Sequence, residues 1–140
     1  MNAKLDKQLT KDFPLAFRRR RLSAMQTCMG RGFTCDDGWH EIIRDVAHLI
    51  EQDIKDTHYS KNAPACVSQV KEKFGMLRIY LDNGNDYLTG VVAMAEVLSA
   101  RTCEVCGTTK DVKRHKLFGF YLKTVCPKCK KALEKKHKAL

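Results

Sequence analysis

The chain has 140 residues, of which 44% are apolar and 30% charged, and its formal net charge is +10. This length suits one compact domain or a small domain with an appended module, and the apolar share is sufficient for a buried core. No apolar run approaches the ~18–20 residues of a membrane-spanning helix, which argues against an integral membrane protein. The first twelve residues lack the apolar core of a signal peptide, so we expect a cytoplasmic protein.

The positive charge is concentrated at the two ends of the chain. Residues 1–21 carry a net charge of +5, residues 22–100 carry −4, and residues 101–140 carry +9. Such asymmetry is typical of proteins that bind nucleic acid or another anionic partner. The alternative is a solvated basic surface that only aids solubility.

The N-terminal segment, residues 1–21, begins with polar residues and ends in four consecutive arginines. We expect Phe13, Leu15 and Phe17 to dock on the rest of the protein. The arginines are candidates for contacts with phosphate or carboxylate groups: Arg18, Arg19, Arg20 and Arg21. Residues 22–38 predict a loop, or a short helix followed by a loop.

The clearest helix is predicted over residues 38–57. Its apolar residues recur with a 3.6-residue period, which indicates one buried face: Trp39, Ile42, Ile43, Val46, Leu49, Ile50 and Ile54. Asp36 or Asp37 is suited to cap its first turn. A loop should follow around Asn62, and His48 and His58 fit surface or core positions.

Two extended segments, residues 66–74 and 76–82, predict an antiparallel hairpin with its turn at Gly75. Alternation places Cys66, Val70 and Phe74 together, and it gives the second strand one face of Leu77, Ile79 and Leu81. A second helix is predicted over residues 86–101, and five of its side chains should point inward: Tyr87, Val91, Met94, Ala95 and Leu98.

The C-terminal part of the chain is organised around two Cys-x-x-Cys pairs. Cys103 and Cys106 form the first pair, Cys126 and Cys129 the second, and nineteen residues separate them. This separation is typical of a four-thiolate zinc site, and four thiolates complete a tetrahedral, closed structural site. We therefore predict one structural Zn²⁺ without an open coordination position. Two disulfides or free thiols are the alternative.

Residues 113–125, between the pairs, predict a hairpin rich in basic and aromatic side chains, so that the module resembles a zinc ribbon. Residues 127–140 predict a short basic helix with Leu133 as its main apolar anchor. Phe118, Phe120 and Tyr121 are available for base stacking if exposed, or for packing on the body. The candidate phosphate-binding or partner-binding residues are Lys113, Arg114, Lys116, Lys123, Lys128, Lys130 and Lys131.

The expected architecture is α+β and has three parts. A basic N-terminal segment covers residues 1–21. The body, residues 22–101, contains two main helices and a β-hairpin. The ribbon, residues 102–140, holds the zinc site and the basic helix, and it should pack on the body because the second helix leads directly into Cys103.

Four motifs carry a resemblance to a known family: Asp-Asp-Gly-Trp at residues 36–39, residues 71–80, residues 95–101, and Cys-Glu-Val-Cys-Gly at residues 103–107. In this order they resemble a family of small phage and prophage proteins. The resemblance implies a phage-type accessory protein with a terminal zinc ribbon, located in the host cell cytoplasm if phage-encoded. It implies no catalytic residue.

Other cysteine chemistry fits the sequence less well. Cys28, Cys35 and His40, with or without Cys66, lack the short spacing of a second metal site, so buried thiols are the better interpretation. His115 lies between the two cysteine pairs and could belong to a degenerate HNH-like nuclease, but the nineteen-residue insert is short for that fold.

Two functions follow from these observations. The first is a non-enzymatic accessory protein that binds nucleic acid or a nucleic-acid-handling complex through basic surfaces. The alternative is a phage-encoded inhibitor that binds a host defence complex, for example a CRISPR effector.

Overall fold

The structure is a computed structural model that describes residues 1–57 and 63–139. The described residues form four α-helices and two antiparallel two-stranded sheets, so the predicted α+β class is confirmed. The helices are α1 (Ala3–Asp12), α2 (His40–Asp56), α3 (Asp86–Ser99) and α4 (Pro127–Lys138). The strands are β1 (Cys66–Lys73), β2 (Met76–Asp82), β3 (Lys113–Leu117) and β4 (Tyr121–Val125). The expected loop at Asn62 and the position of His58 lie outside the described residues.

Helix α2 confirms the apolar periodicity of the sequence. A single 3₁₀ turn, Asp37–Trp39, leads into it, and its inward side carries Ile43, Val46 and Ile50 in the core of the body. The predicted aspartate cap is wrong, because no side chain caps either the turn or the helix. Both aspartates are engaged elsewhere: Asp37 accepts hydrogen bonds from Asn2, and Asp36 forms an ion pair in the ribbon.

Strands β1 and β2 pair in the predicted hairpin, and its two-residue turn is Phe74–Gly75. The register shifts between Val67 and Gln69, so that Cys66 and Val67 are both buried. This irregularity breaks the simple alternation that the sequence suggested. The ladder ends at the pair Lys73 and Met76, so Phe74 belongs to the turn; it is 63% exposed and does not share the buried positions of Cys66 and Val70.

Helix α3 packs against α2 and β2, and the Asn85 side chain accepts a hydrogen bond from the backbone N–H of Leu88 at its start. The buried residues are Leu88 and Ala95, whereas Tyr87 and Met94 are more than half exposed. The predicted inward set is therefore wrong for Tyr87 and Met94. The helix is apolar on most sides, so its periodicity does not single out one face.

The N-terminal segment shares the core of the body. It contains helix α1, which the sequence analysis described only as polar residues, and Asn2 caps this helix through hydrogen bonds from the backbone N–H groups of Lys4 and Leu5. Leu9 and Phe17 are buried in the same apolar cluster as Trp39. The segment thus contributes to the core as well as carrying basic residues.

Candidate metal centre and ribbon surface

The four cysteines of the two Cys-x-x-Cys pairs converge on one point. Cys103 and Cys106 follow α3, Cys126 follows β4, and Cys129 lies in the first turn of α4. Their sulfur atoms all lie within 4.8 Å of one another, and the Sγ atoms of Cys106 and Cys126 are 3.8 Å apart. Four sulfurs at ~2.3 Å from one zinc ion in a tetrahedron are separated by about 3.8 Å. The predicted cysteine set is therefore confirmed as a group that fits a single structural metal ion.

The first pair lies in a tight knuckle. The backbone N–H of Gly107 donates to the carbonyl of Cys103 at 2.8 Å, and the N–H of Cys103 donates to the carbonyl of Thr108 at 2.8 Å. Gly107 has a φ of +78°, which a residue with a side chain rarely adopts. The glycine after the second cysteine thus permits the turn that directs both sulfurs to the site.

The second pair uses the start of a helix. Pro127 occupies the first turn of α4, and the N–H of Lys130 donates to the carbonyl of Cys126 at 2.9 Å. The backbone N–H of Cys129 donates to the Cys126 sulfur and lowers the pKa of this thiol to about 7. A helix N-terminus stabilises a thiolate in the same sense. Cys126 is thus prepared to bind a metal ion near neutral pH.

The Cys129 thiol has the opposite tendency and resists ionisation. Burial, followed by the three neighbouring cysteines, raises the pKa of Cys129 far above its ordinary value. Several thiolates held this close together repel one another, so they ionise together only when a cation compensates them. The donor set therefore suits a divalent metal that prefers sulfur, and zinc with four cysteines is the common closed arrangement.

Other cysteines and histidines form no second cluster in the described parts of the chain, since one group alone has metal-binding proximity. Cys35 and Cys66 are buried, as expected of core thiols, and burial raises the pKa of Cys35 to about 12. Cys28 is exposed, which corrects the expectation that it is buried. His115 is not part of the cysteine group either.

The Asp-Asp-Gly-Trp motif binds the ribbon to the body at the first knuckle. The N–H of Gly38 donates to the carbonyl of Glu104 at 2.7 Å, and the Trp39 indole N–H donates to the carbonyl of Thr102 at 2.9 Å. A Cβ at position 38 would overlap the carbonyl oxygen of Cys103 and lie 2.5 Å from the nitrogen of Gly107. Only glycine permits this close approach, so we assign this motif to docking.

Lys123 forms the centre of an ion-pair network beneath the knuckle. Its Nζ lies 2.9 Å from a carboxylate oxygen of Asp36 and 2.9 Å from one of Glu104. Burial alone would lower the pKa of Lys123, but the hydrogen bonds to both carboxylates outweigh it and raise this pKa. Its side chain is only 7% exposed. Lys123 is therefore a docking residue, which corrects its assignment to the partner-binding set.

The turn of the body hairpin makes a second contact with the ribbon. The Thr124 hydroxyl donates to the carbonyl of Gly75 at 2.5 Å. A Cβ at Gly75 would lie 2.9 Å from Cδ of Arg114, so the arginine side chain covers this glycine. Arg114 also approaches the sulfur of Met76, with 3.7 Å between its guanidinium nitrogen and Sδ. The motif at residues 71–80 thus also docks the ribbon.

The arginine run is largely occupied by contacts within the protein. Arg18 donates to the backbone carbonyls of Leu15, Pro64 and Ala65. Arg19 pairs with Asp82, and Arg20 makes a two-pronged contact with Asp6 at 2.9–3.3 Å. In the part of the chain that the structure describes, Arg21 alone of the four has no such partner. Three of the four predicted contact arginines are therefore structural.

The ribbon presents the opposite pattern. Its exposed cations include Lys113, Lys116, Lys128 and Lys131, and none of these four has a carboxylate partner among the described residues. Lys130 lies 3.6 Å from Glu134 on the same helix. Between β3 and α4, an open depression of about 490 Å³ is lined by the residues Asp111, Lys113, His115, Pro127, Lys130, Lys131 and Glu134.

Exposed aromatic side chains accompany these cations. Phe118, Phe120 and Tyr121 are 42%, 93% and 46% exposed, so none of the three is buried between ribbon and body. The ring of Phe118 packs on His137 with 4.1 Å between centroids. Phe74 was not among the predicted binding residues; its exposure follows from its place in the hairpin turn before Gly75.

Comparison with protein-family models, with curated proteins and with solved structures finds no match for this chain. Within residues 1–57 and 63–139, no helix has the length and apolar character needed to cross a membrane.

Proposed function

We propose that this protein is a non-catalytic, phage-type accessory protein whose zinc-held ribbon binds nucleic acid through its phosphates. The observation that carries this proposal is a contrast: arginines at the N-terminus are paired, whereas exposed lysines on the ribbon have no carboxylate partner among the described residues. A charge already compensated within the fold adds little to binding, whereas an exposed unpaired cation can displace counterions from phosphates.

The metal site supports a structural role for the ion. Four sulfur ligands fill a tetrahedral zinc site and leave no position for water or substrate. The residues around it hold the ribbon on the body: Gly38 and Trp39 by hydrogen bonds, Lys123 by ion pairs. Zinc bound here would fix the position of the basic hairpin and of α4 relative to the body.

A second candidate is an inhibitor that binds a host defence complex. The observation that favours it is the outer side of α3, where Met94 is 57% and Val97 56% exposed beside a groove of about 240 Å³ against α2. Exposed apolar surface of this kind is typical of protein-binding faces. Binding to a host protein without affinity for bare nucleic acid would favour this candidate.

The test is a salt series with the zinc-loaded protein and short DNA and RNA, single-stranded and double-stranded. We expect a log-log slope of affinity against salt of several units, because each neutralised phosphate contributes about −0.7 to −0.9. Absent binding at low salt would overturn the proposal.

A matched pair of variants locates the contact. Lys113→Gln with Lys131→Gln should lower affinity about tenfold and reduce the slope by about 1.4 to 1.8, since two phosphate contacts are lost. Lys4→Gln with Lys7→Gln removes the same charge from exposed positions of α1 and should change little. Equal losses in both variants would indicate attraction to net charge alone and contradict a ribbon site.

A further inference from the structure

Both hairpins end in turns that contain phenylalanine in an unfavourable backbone conformation. Phe74 and Phe118 have φ values of 55° and 49°, and each precedes a glycine that also has a positive φ. Turns of this kind favour asparagine, aspartate or glycine, because a bulky side chain is strained in the left-handed region. Turn formation therefore gives no reason for phenylalanine at either position.

The aromatic rings at these turns are exposed and accompanied by lysine. Phe120, directly after the second turn glycine, is 93% exposed, and Phe74 is 63% exposed. The Nζ atoms of Lys116 and Lys73 lie 5.4 Å from the ring centroids of Phe120 and Phe74, respectively. Each turn thus presents a stacking face together with a cation.

The two turns are connected across one surface. Gly75 contacts the side chain of Arg114 on β3, and its carbonyl accepts the hydrogen bond from Thr124 on β4. From Arg114 the strand β3 runs three residues to the second turn, about 10 Å. Arg114 and Lys116 lie on the same face of β3, and we define the aromatic strip as Phe74, Arg114, Lys116 and Phe120.

We propose that the aromatic strip binds single-stranded nucleic acid by stacking unpaired bases on its rings while Arg114 and the lysines contact the phosphates. Bases in a duplex already stack on their neighbours, whereas exposed rings beside cations bind unpaired bases with little sequence preference. The proposal rests on the proposed nucleic-acid function and adds the class of substrate. An apolar protein partner is the competing outcome.

The experiment compares three fluorescent probes at one salt concentration: a 12-nucleotide single strand, the same length as a duplex, and a single strand with abasic sites that keeps its phosphates. We expect the wild-type protein to bind the intact single strand about tenfold more tightly than either other probe. Loss of stacking on a single base is sufficient for a difference of that size.

Phe120→Ala is the decisive variant, because its side chain contributes least to the folded ribbon. It should weaken binding of the intact single strand about tenfold and leave the affinities for the duplex and the abasic strand unchanged. Tyr87→Ala, which removes an exposed aromatic from α3, is the matched control and should change none of these.

The possible failures can be separated. Equal affinity for all three probes, or an equal loss with Phe120→Ala on all three, would overturn the stacking proposal and leave phosphate binding intact. No binding of any probe at low salt would overturn both proposals. Binding of a host protein that depends on Phe120, without binding of any probe, would assign the strip to a protein partner.

Discussion

In the described residues, eighteen buried apolar side chains form the core of the body and the N-terminal segment, whereas four buried residues form the core of the ribbon. Three of those four are cysteines: Cys103, Cys126 and Cys129. A core of this size supplies little hydrophobic free energy, so we expect metal binding and contacts with the body to supply most of the ribbon's stability. One chain thus combines a body with a large apolar core and a ribbon whose four cysteines fit a single metal ion.

The two regions also use positive charge differently. At the N-terminus, Arg19 and Arg20 are paired with acidic side chains and stabilise the fold. On the ribbon, Lys113 and Lys131 are exposed and have no such partner within residues 1–57 and 63–139. The arginines are therefore compensated within the fold, whereas these lysines are available for the proposed contacts with phosphates.

Loss of one metal ligand should have the largest effect. Cys106→Ser should release the metal and unfold residues 103–129, because structural zinc contributes ~10–16 kcal/mol in small finger peptides. Amide NMR spectra should lose the dispersed signals of the ribbon and keep those of α2. Cys28→Ser, at an exposed cysteine outside the site, is the control and should change neither the metal content nor the amide signals of the ribbon. Retained zinc with a full set of ribbon signals in Cys106→Ser would refute the site.

Loss of the buried lysine should come next. Lys123→Met leaves the carboxylate of Glu104, which is 1% exposed, without its cation, and such a change costs about 3–5 kcal/mol. Chemical denaturation of the zinc-loaded protein measures this loss of unfolding free energy. Lys130→Met removes a partly exposed pair with Glu134 and should cost less than about 1 kcal/mol. Equal losses of unfolding free energy in Lys123→Met and Lys130→Met would contradict the docking role of Lys123.

Alanine substitutions at two glycines should change the stability of the protein in opposite directions. Gly38→Ala should destabilise the protein by about 1–3 kcal/mol, because its methyl group would overlap the first knuckle. Gly90→Ala, within α3 and with free space around its Cα, should stabilise it by about 0.5–1 kcal/mol. The thermal midpoints of both variants test this pair. A neutral Gly38→Ala would contradict the close docking of the motif on the ribbon.

The arginine run should affect stability and have the smallest effect on binding. Arg20→Gln should reduce stability by about 1–2 kcal/mol, since its pair with Asp6 is half-buried, and should leave nucleic-acid affinity nearly unchanged. Lys113→Gln should lower nucleic-acid affinity and leave stability nearly unchanged. Chemical denaturation and nucleic-acid binding should be measured on both variants. Loss of affinity in Arg20→Gln would contradict the assignment of Arg20 to fold stability.

Local signals in the sequence were sufficient for much of this account. The periodicity of α2, the turn at Gly75 and the spacing of the cysteines each specify structure over a few residues. Helix α1 was missed because Leu9 is its one buried residue, and the face of α3 was misassigned because that helix is apolar on most sides. The α3 segment carries no distinct amphipathic pattern.

The roles of the basic residues depend on partners distant in the chain. Arg19 pairs with Asp82, and Lys123 pairs with Asp36. These partners are far apart in the sequence, so no local pattern predicts the pairs. The sequence therefore identifies where the positive charge is concentrated, but the fold decides which charges are compensated. The docking role of Gly38 likewise depends on a backbone that approaches from the ribbon.

The most direct test of the account follows zinc release and nucleic-acid binding in one titration with a chelator. We predict that one zinc ion per chain is released, that affinity for nucleic acid falls in the same concentration range, and that both return when zinc is added back. Undiminished binding after complete loss of zinc would contradict the claim that a metal-held ribbon carries the binding surface.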